Sequence, residues 1–305
     1  MPWKHWSAER LGLALAVLAA LGFSFKAIFV KLAYAVPQPV AVDAVTLLAL
    51  RMAFSLPFFA WMGWRAHRAA GGAGLDRRSL VWVVALGLLG YYGASILDFL
   101  GLQYISASLE RLILYLNPTL VLLLGWLLYR KRITRGQMLG IAISYAGVVL
   151  VFGHEISLQG GMALWGALLV FLSAVSYALY LVYSGELVHR LGSMRLVGLA
   201  TMVACVLCLL QFVLLRPLSA AVVAPEVIWL SVLNATLCTA VPVLLVMMAI
   251  ERIGSGLTAQ TGMVGPMSTI LMGVLILGEP FTVWIAAGTV LVVAGIYVFS
   301  RASRK

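Results

Sequence analysis

Long apolar runs separated by short polar stretches make up most of the chain. Ten runs fall near residues 11–34, 41–63, 80–101, 106–128, 134–153, 161–184, 194–215, 226–249, 255–277 and 281–300. Each is long enough to cross about 30 Å of hydrocarbon as a helix, which satisfies its own backbone hydrogen bonds where water is absent. Alternation with a period of two residues is weak, which argues against a β-barrel. The pattern predicts an all-α integral membrane protein with ten transmembrane helices.

The second half of the chain repeats the first. The stretch NPTLVLLLGWLLYRKRIT, which begins at Asn117, aligns with GPMSTILMGVLILGEPFT, which begins at Gly265. The shift is 148 residues, since 265 minus 117 is 148, and it pairs Pro118 with Pro266. We therefore expect each half to form one five-helix unit.

Five helices are an odd number, so the second unit must enter the membrane in the opposite sense to the first. We expect two inverted five-helix repeats, residues 1–153 and 161–305. Inverted repeats recur in secondary transporters, whose substrate site lies at the repeat interface near the middle of the bilayer.

Composition agrees with a membrane protein and leaves little room for a soluble domain. Hydrophobic residues make up 63% of the chain and charged residues 10%, whereas soluble domains carry about 25% charged residues. The three cysteines, Cys205, Cys208 and Cys238, lie within apolar runs, so we interpret them as packing residues. Cys205 and Cys208 have C-x-x-C spacing, but no histidine or further cysteine accompanies them, so we expect neither a metal nor a cofactor.

The positive charges indicate an orientation rather than a nucleic-acid partner. The net charge is +11, but the basic residues form short clusters between apolar runs instead of one patch. If the amino terminus is inside, nearly all basic loop residues are cytoplasmic, and the opposite loops hold Arg216. The positive-inside rule then predicts a multi-pass protein of the inner (cytoplasmic) membrane with both termini in the cytoplasm.

Several predicted helices keep polar side chains inside the membrane. A charge there costs roughly 2.5 to 3.5 kcal/mol on insertion scales, so its side chain usually faces protein or water. The candidates for substrate binding or coupling are Lys26, Arg51, Asp98, Glu110, Asn117, Ser173, Tyr177 and Tyr180. Two interpretations stay open: these groups line a cavity for a polar or zwitterionic solute, or they form ion pairs and hydrogen bonds that hold the helices together.

Pro118 and Pro266 fall about halfway along predicted helices four and nine. Each removes a backbone hydrogen bond and leaves a carbonyl free. Both are therefore candidate hinges, although prolines also kink purely structural membrane helices.

The sequence resembles the drug/metabolite transporter superfamily, and within it the EamA-type transporters with two EamA domains. The resemblance rests on ten helices in two copies, the paired prolines, the LGEPFT junction (277–282) and the endings AGVVLVF and AGIYVFS. It implies a carrier, often an exporter, with a central cavity lined by helices one to four and six to nine. The first copy lacks the usual acidic residue at its helix four to five junction, whereas the second keeps Glu279. We therefore do not carry Glu279 over as an active residue.

We expect a secondary transporter embedded in the lipid bilayer. By resemblance it is an exporter, and its substrates are small polar metabolites or amino-acid-like solutes. A homodimer is left open. The absence of a G-x-x-x-x-G-K-[ST] loop argues against ATP coupling within this chain. The alternatives are a membrane-embedded enzyme, disfavoured because H-E-x-x-H and G-x-S-x-G are absent, and a non-transporting membrane receptor or structural protein. No enzymatic activity is expected.

Overall fold

The computed structural model describes residues 8–37, 42–69, 71, 74–130, 133–159, 161–261 and 264–303. These residues are almost entirely helical, and none of them forms a β-strand. Within these ranges, eight helices are long and apolar enough to cross a membrane, and Met267–Leu277 and Val283–Phe299 are shorter apolar helices. The prediction of an all-helical fold is confirmed, and the spans imply a lipid bilayer around the protein.

The α-helices are numbered here along the described chain. They are α1 (Ala8–Ala35), α2 (Ala44–Ala69), α3 (Arg77–Leu86), α4 (Ala94–Gly101), α5 (Ala107–Leu114), α6 (Asn117–Tyr129), α7 (Arg135–Gln159), α8 (Gly161–Leu191), α9 (Ser193–Leu215), α10 (Pro225–Ala235), α11 (Val241–Thr261), α12 (Val264–Leu277) and α13 (Val283–Ser303). A π-helical segment, Gly87–Gly93, joins α3 to α4, and a second, Thr236–Ala240, joins α10 to α11. The third and eighth predicted spans are therefore each continuous but locally underwound.

The two halves of the chain pack against each other along most of their helices. α13 lies along α7, α1 packs on α11 and α12, α2 packs on α9, and α4, α5 and α6 pack on α8. In every one of these pairs, one helix comes from the first half and the other from the second. The centre of the bundle is therefore surrounded by helices of both halves.

Glycines bring the backbones of α7 and α13 close together. A Cβ added at Gly147 would lie 2.7 Å from the carbonyl oxygen of Gly288, and one added at Gly295 would lie 2.7 Å from that of Gly140. Small residues allow such close approach in membranes, where packing replaces the hydrophobic effect as the force between helices. The α7–α13 pair therefore depends on residues without side chains.

The fourth span is broken in its middle. α5 ends at Leu114 and α6 begins at Asn117, so Pro118 lies in the first turn of α6, where its missing N–H costs no helical hydrogen bond. Leu116 N donates to Ile113 O at 3.0 Å and so tightens the end of α5. The predicted kink at Pro118 is thus an interruption just before the proline. In the second half α12 begins at Val264, and residues 262–263 lie outside the described part of the chain.

The predicted boundary between runs 226–249 and 255–277 falls inside a helix. Residues on both sides of the boundary are helical, and the range of α11 ends at Thr261. Glu251 and Arg252, which suggested a polar break, are strong helix formers. Arg252 also donates to Met248 O at 2.7 Å, one turn earlier in α11.

The chain reverses direction within the range of α11, after Ile253, because Thr261 is only four residues before Gly265 and four residues span at most about 14 Å. A Cβ at Gly12 would lie 2.5 Å from Ile253 Cγ2. Ser24 Oγ donates to the carbonyl of Gly265 at 2.7 Å. Positions 12 and 24 of α1 are about 18 Å apart at 1.5 Å per residue. The chain therefore runs along α1 as far as Gly12, which Ile253 contacts, and is back at the level of Ser24 by Gly265.

We expect Gly147→Ala to destabilise the protein by about 1–3 kcal/mol, because the new methyl group must push two backbones apart. The matched control is Gly153→Ala on the same helix, where an added Cβ meets nothing within 4 Å. That change should be neutral or stabilising by up to about 1 kcal/mol, because alanine favours helices over glycine. Thermal unfolding of the purified variants in detergent distinguishes them, and equal midpoints would show that the α7–α13 contact is not tight.

Candidate functional site

Four charged side chains from three helices meet inside the bundle. Lys26 on α1 donates from Nζ to Asp98 Oδ2 on α4 at 2.7 Å and lies 3.0 Å from Glu110 Oε1 on α5. Arg111 Nε lies 3.8 Å from Glu110 Oε2. We call Lys26, Asp98, Glu110 and Arg111 the charged cluster. One ammonium group thus bridges two carboxylates that are distant in sequence.

The carboxylates of the charged cluster are buried and have few hydrogen-bond donors. The exposed fraction is 3% for Asp98 and 0% for Glu110. Asp98 Oδ1 and both oxygens of Glu110 have no hydrogen-bond partner among the described residues, so the Lys26–Glu110 contact is an ion pair without hydrogen-bond alignment. Arg111 Nη2 donates instead to Phe23 O at 3.0 Å. The cluster therefore has carboxylate oxygens to which a further cation or proton can bind.

Helix ends help to explain where the two acids stand. Glu110 lies in the first turn of α5, where the helix dipole favours a negative charge, and Ser106 Oγ caps that helix by accepting from Leu109 N at 3.1 Å. Asp98 lies in the last turn of α4, where the dipole disfavours an acid. The ammonium group of Lys26 offsets this unfavourable placement.

Arg51 on α2 is buried beside the charged cluster but has neutral partners. Its Nη2 and Nε donate to Thr239 Oγ1 at 3.0 and 3.3 Å, and its Cζ lies 5.4 Å from the centre of the Phe99 ring. Thr239 Oγ1 in turn donates to Asn234 O at 2.9 Å, and Asn234 Nδ2 donates to Lys26 O at 3.4 Å. Within the described residues, no carboxylate lies within ion-pair distance of Arg51. Arg51 is thus a buried cation without an acidic partner in this part of the chain.

The two π-helical segments, in the third and eighth spans, supply hydrogen-bond partners to side chains of other helices. Thr239, which binds Arg51, belongs to Thr236–Ala240. Opposite Gly87–Gly93, Ser173 Oγ donates to Ala94 O at 2.7 Å, and Ser176 Oγ donates at 2.7 Å to a carbonyl inside the segment. A π-turn shifts the i→i−4 pattern and frees carbonyls, which is why such turns are frequent at functional sites. Sequence analysis missed both segments: the first has three glycines as a signal, whereas the second, TLCTA, has none.

The predicted hydroxyl stripe of α8 contacts the third span. Tyr180 OH lies 3.3 Å from Tyr91 OH, and the Tyr177 and Tyr180 rings stack with centroids 5.6 Å apart. Asn117 begins α6, and its buried Oδ1 has no hydrogen-bond partner among the described residues. The structure therefore joins Lys26, Asp98 and Glu110 into one group and places Ser173, Tyr177 and Tyr180 in a second group on α8.

A cavity of about 450 Å³ lies at the end of the bundle where α1, α4 and α12 end. We call it the vestibule. Its polar lining consists of Lys31, Tyr34, Gln103, Ser106, His154, Glu279 and Thr282. Tyr34 OH donates to Phe99 O at 2.7 Å and Ser106 caps α5, so two vestibule residues belong to the elements that carry Asp98 and Glu110. No member of the charged cluster lines the vestibule.

An ion pair at the same end lies outside the spans. Arg216 Nε donates to Asp43 Oδ2 at 3.1 Å, so the basic residue expected to stand alone on this side has an acidic partner. Asp43 Oδ1 also accepts from Val45 N at 2.9 Å at the start of α2. Burial raises the pKa of Asp43, but hydrogen bonds from Arg216 and Thr46 outweigh it and bring the pKa below its ordinary value.

Comparison with known proteins agrees with these features. Residues 10–153 and 164–301 each match the EamA-like transporter family. The uncharacterized transporter YcbK of Bacillus subtilis is 30% identical over 281 residues, which cover 88% of this chain and 86% of that protein. An uncharacterized transporter of Archaeoglobus fulgidus is 27% identical over 233 residues, covering 75% of this chain and 81% of that protein.

One solved structure has the same fold. A protein known from its crystal structure superposes with a TM-score of 0.61 at 21% identity, covering 97% of this chain and 99% of that one. The family matches account for nearly the whole chain, in two successive copies. The chain therefore belongs to the EamA-like transporter family.

Proposed function

We propose that this protein is a secondary transporter that exports small polar or amino-acid-like solutes across the cytoplasmic membrane, and that the charged cluster is its coupling or binding site. One observation carries the proposal: two buried carboxylates with unsatisfied oxygens share one ammonium group, on three helices of the first half. Intramembrane ionisable groups usually serve function because they are costly to keep. The transporter names of its relatives support the same class.

The proposed architecture is ten crossings in two inverted repeats, residues 1–153 and 161–305. Contacts between the halves support it, because α7 pairs with α13 and α2 with α9, as a twofold arrangement of five helices and five helices requires. The reversal between Ile253 and Gly265 supports a separate eighth and ninth crossing. We place both termini in the cytoplasm on the distribution of basic residues.

The geometry favours a division of labour among the buried charges. Lys26 already contacts both carboxylates, so Asp98 and Glu110 form the acceptor for a proton or for the cationic group of a solute. Arg51, with neutral partners at Thr239 and Phe99, is the cation better placed to receive an anionic group. In this proposal Asn117, Ser173, Tyr177 and Tyr180 supply neutral polar contacts, and Pro118 and Pro266 mark the hinges of spans four and nine.

The competing interpretation is that the charged cluster only holds α1, α4 and α5 together. Every described contact of Lys26 is compatible with it. Measurements of stability and flux separate the two interpretations. If the cluster is a scaffold, its substitutions change the free energy of unfolding alone; if it is a transport site, they also lower solute flux in variants that remain folded.

Lys26→Met should lower the free energy of unfolding by about 3–5 kcal/mol, because it leaves two buried carboxylates without their ammonium group. Adding Asp98→Asn in the same chain should restore part of that loss. The control is Arg216→Gln, which breaks a partly exposed ion pair (39% and 33% exposed) worth at most about 1 kcal/mol. Thermal unfolding in detergent measures all three, and equal small losses would show that the buried pair is not a stabilising contact.

Asp98→Asn and Glu110→Gln should each lower solute flux by about tenfold or more, equivalent to at least about 1.4 kcal/mol, in protein that remains folded. The measurement is uptake and efflux of labelled amino acids, sugars, nucleosides and organic cations in proteoliposomes, at several pH values. Asp43→Asn, outside the spans, should keep wild-type flux. Unchanged flux in both cluster variants would support the scaffold, and no flux of any solute in folded wild-type protein would contradict the transporter.

The proposed orientation predicts opposite labelling of the two ends of α9. Ser219→Cys, on the loop after α9, should react with a membrane-impermeant maleimide added to intact cells, whereas Ser193→Cys, at the start of α9, should react only after permeabilisation. Both positions are exposed, and the native cysteines Cys205, Cys208 and Cys238 are buried. The reverse result would invert the orientation.

A further inference from the structure

Glu279, from the second half of the chain, binds the beginning of α5 in the first half. Its Oε1 accepts from Ala107 N at 2.7 Å, and its Oε2 accepts from Ser108 N at 3.2 Å and from Ser108 Oγ at 2.7 Å. Both amides belong to the first turn of α5, where backbone N–H groups have no partner within the helix. A carboxylate at that place also interacts favourably with the helix dipole.

The end of α12 places this carboxylate. Gly278 follows α12 with φ of +67°, a left-handed conformation that favours glycine, and Glu279 N donates to Gly273 O at 3.0 Å. A Cβ at Gly273 would lie 2.8 Å from Glu279 Oε2, so only glycine leaves room there for the carboxylate. The contact is therefore built from both sides rather than formed by a free surface side chain.

α5 is a short helix, and it carries the charged cluster's Glu110 and Arg111. It has its own N-cap, Ser106, so Glu279 is not needed merely to begin it. The break before α6 separates it from the rest of the fourth span. Its position therefore depends on its contacts with neighbours, and Glu279 is the contact that ties its first turn to the α12–α13 junction.

This contact has no acidic counterpart at the related junction in the first half. The 148-residue shift pairs Gly278 with Arg130, and both adopt positive φ, +67° and +53°. The same shift pairs Glu279 with Lys131, which lies outside the described residues but is basic in sequence. The two helix ends share a backbone conformation, but only the second carries an acid.

We propose that Glu279 is a latch between the two halves and a positioning residue for the charged cluster. Glu279 and Ser106 both line the vestibule, so the latch closes one wall of it. When α12 and α13 move away from α5, its three hydrogen bonds break, the vestibule widens, and α5 moves with Glu110. The latch thus favours the state in which this end of the bundle is closed. The part of this proposal that links the latch to transport rests on the proposed function.

Glu279→Gln removes the charge and replaces one acceptor oxygen with a donor. We expect faster hydrogen exchange in the peptide that contains Ala107 and Ser108, and severalfold faster maleimide labelling of a Gln103→Cys reporter in the vestibule. Glu279→Asp should retain part of the protection. The matched control is Glu226→Gln, an exposed acid in the first turn of α10, which should change neither reading. If Glu279→Gln shows the same rates of hydrogen exchange and maleimide labelling as the wild-type protein, the latch is overturned.

A reversible cross-link separates a moving latch from a static cap. Ser108→Cys with Glu279→Cys, in a background with the native cysteines replaced by serine, is joined by a short bis-methanethiosulfonate reagent. Flux in proteoliposomes should fall to background and return after reduction, whereas each single cysteine variant should be unaffected by the reagent. Full flux in cross-linked protein would overturn the proposal. If wild-type protein moves no solute, the transport function fails, and hydrogen exchange still decides whether Glu279 holds α5.

Discussion

The dominant constraint on this molecule is the cost of charge in a medium without water. Lys26, Asp98 and Glu110 belong to three helices, and none of their charges is tolerable alone in hydrocarbon. Their mutual contact fixes α1 against α4 and α5, with Lys26 Nζ only 2.7 and 3.0 Å from the two carboxylates. The same contact leaves carboxylate oxygens without hydrogen bonds. In the proposed function, these oxygens receive the proton or the cationic group of the solute.

Neutral packing surrounds this charged centre and uses different means in different places. α7 and α13 approach through glycines, and Ser144 Oγ donates to Val292 O across the same pair at 3.4 Å. Near the centre, Ser176 Oγ donates to a carbonyl within the first π-helical segment. Thr239, within the second, donates to Asn234 O and accepts a hydrogen bond from Arg51. The glycine contacts join α7 to α13, whereas the locally underwound third and eighth spans supply hydrogen-bond partners to side chains of neighbouring helices. Glu279 joins the α12–α13 junction to α5 at the vestibule.

Sequence reasoning found most of the cluster but not its pairing. Lys26, Asp98 and Glu110 stood out because a charge within an apolar run is conspicuous, whereas their distances depend on how α1, α4 and α5 pack. Glu279 was set aside because the first copy has no acidic residue at its helix four to five junction, and its partners, Ala107 and Ser108, are 172 and 171 residues away. The boundary predicted between runs 226–249 and 255–277 lies within the range of α11, and the chain reverses between Ile253 and Gly265. Thr236–Ala240 carried no local signal of a π-turn.

The sequence by itself determined that this chain is a helical membrane protein of two similar halves, because hydrophobic length and repetition are local properties that can be read residue by residue. It also determined which charges are costly enough to matter. Only the tertiary structure decided that one lysine serves two acids, that Arg51 meets a threonine, and that a junction glutamate caps a helix of the other half. Those outcomes depend on distances between segments far apart in the chain, and no local pattern encodes them.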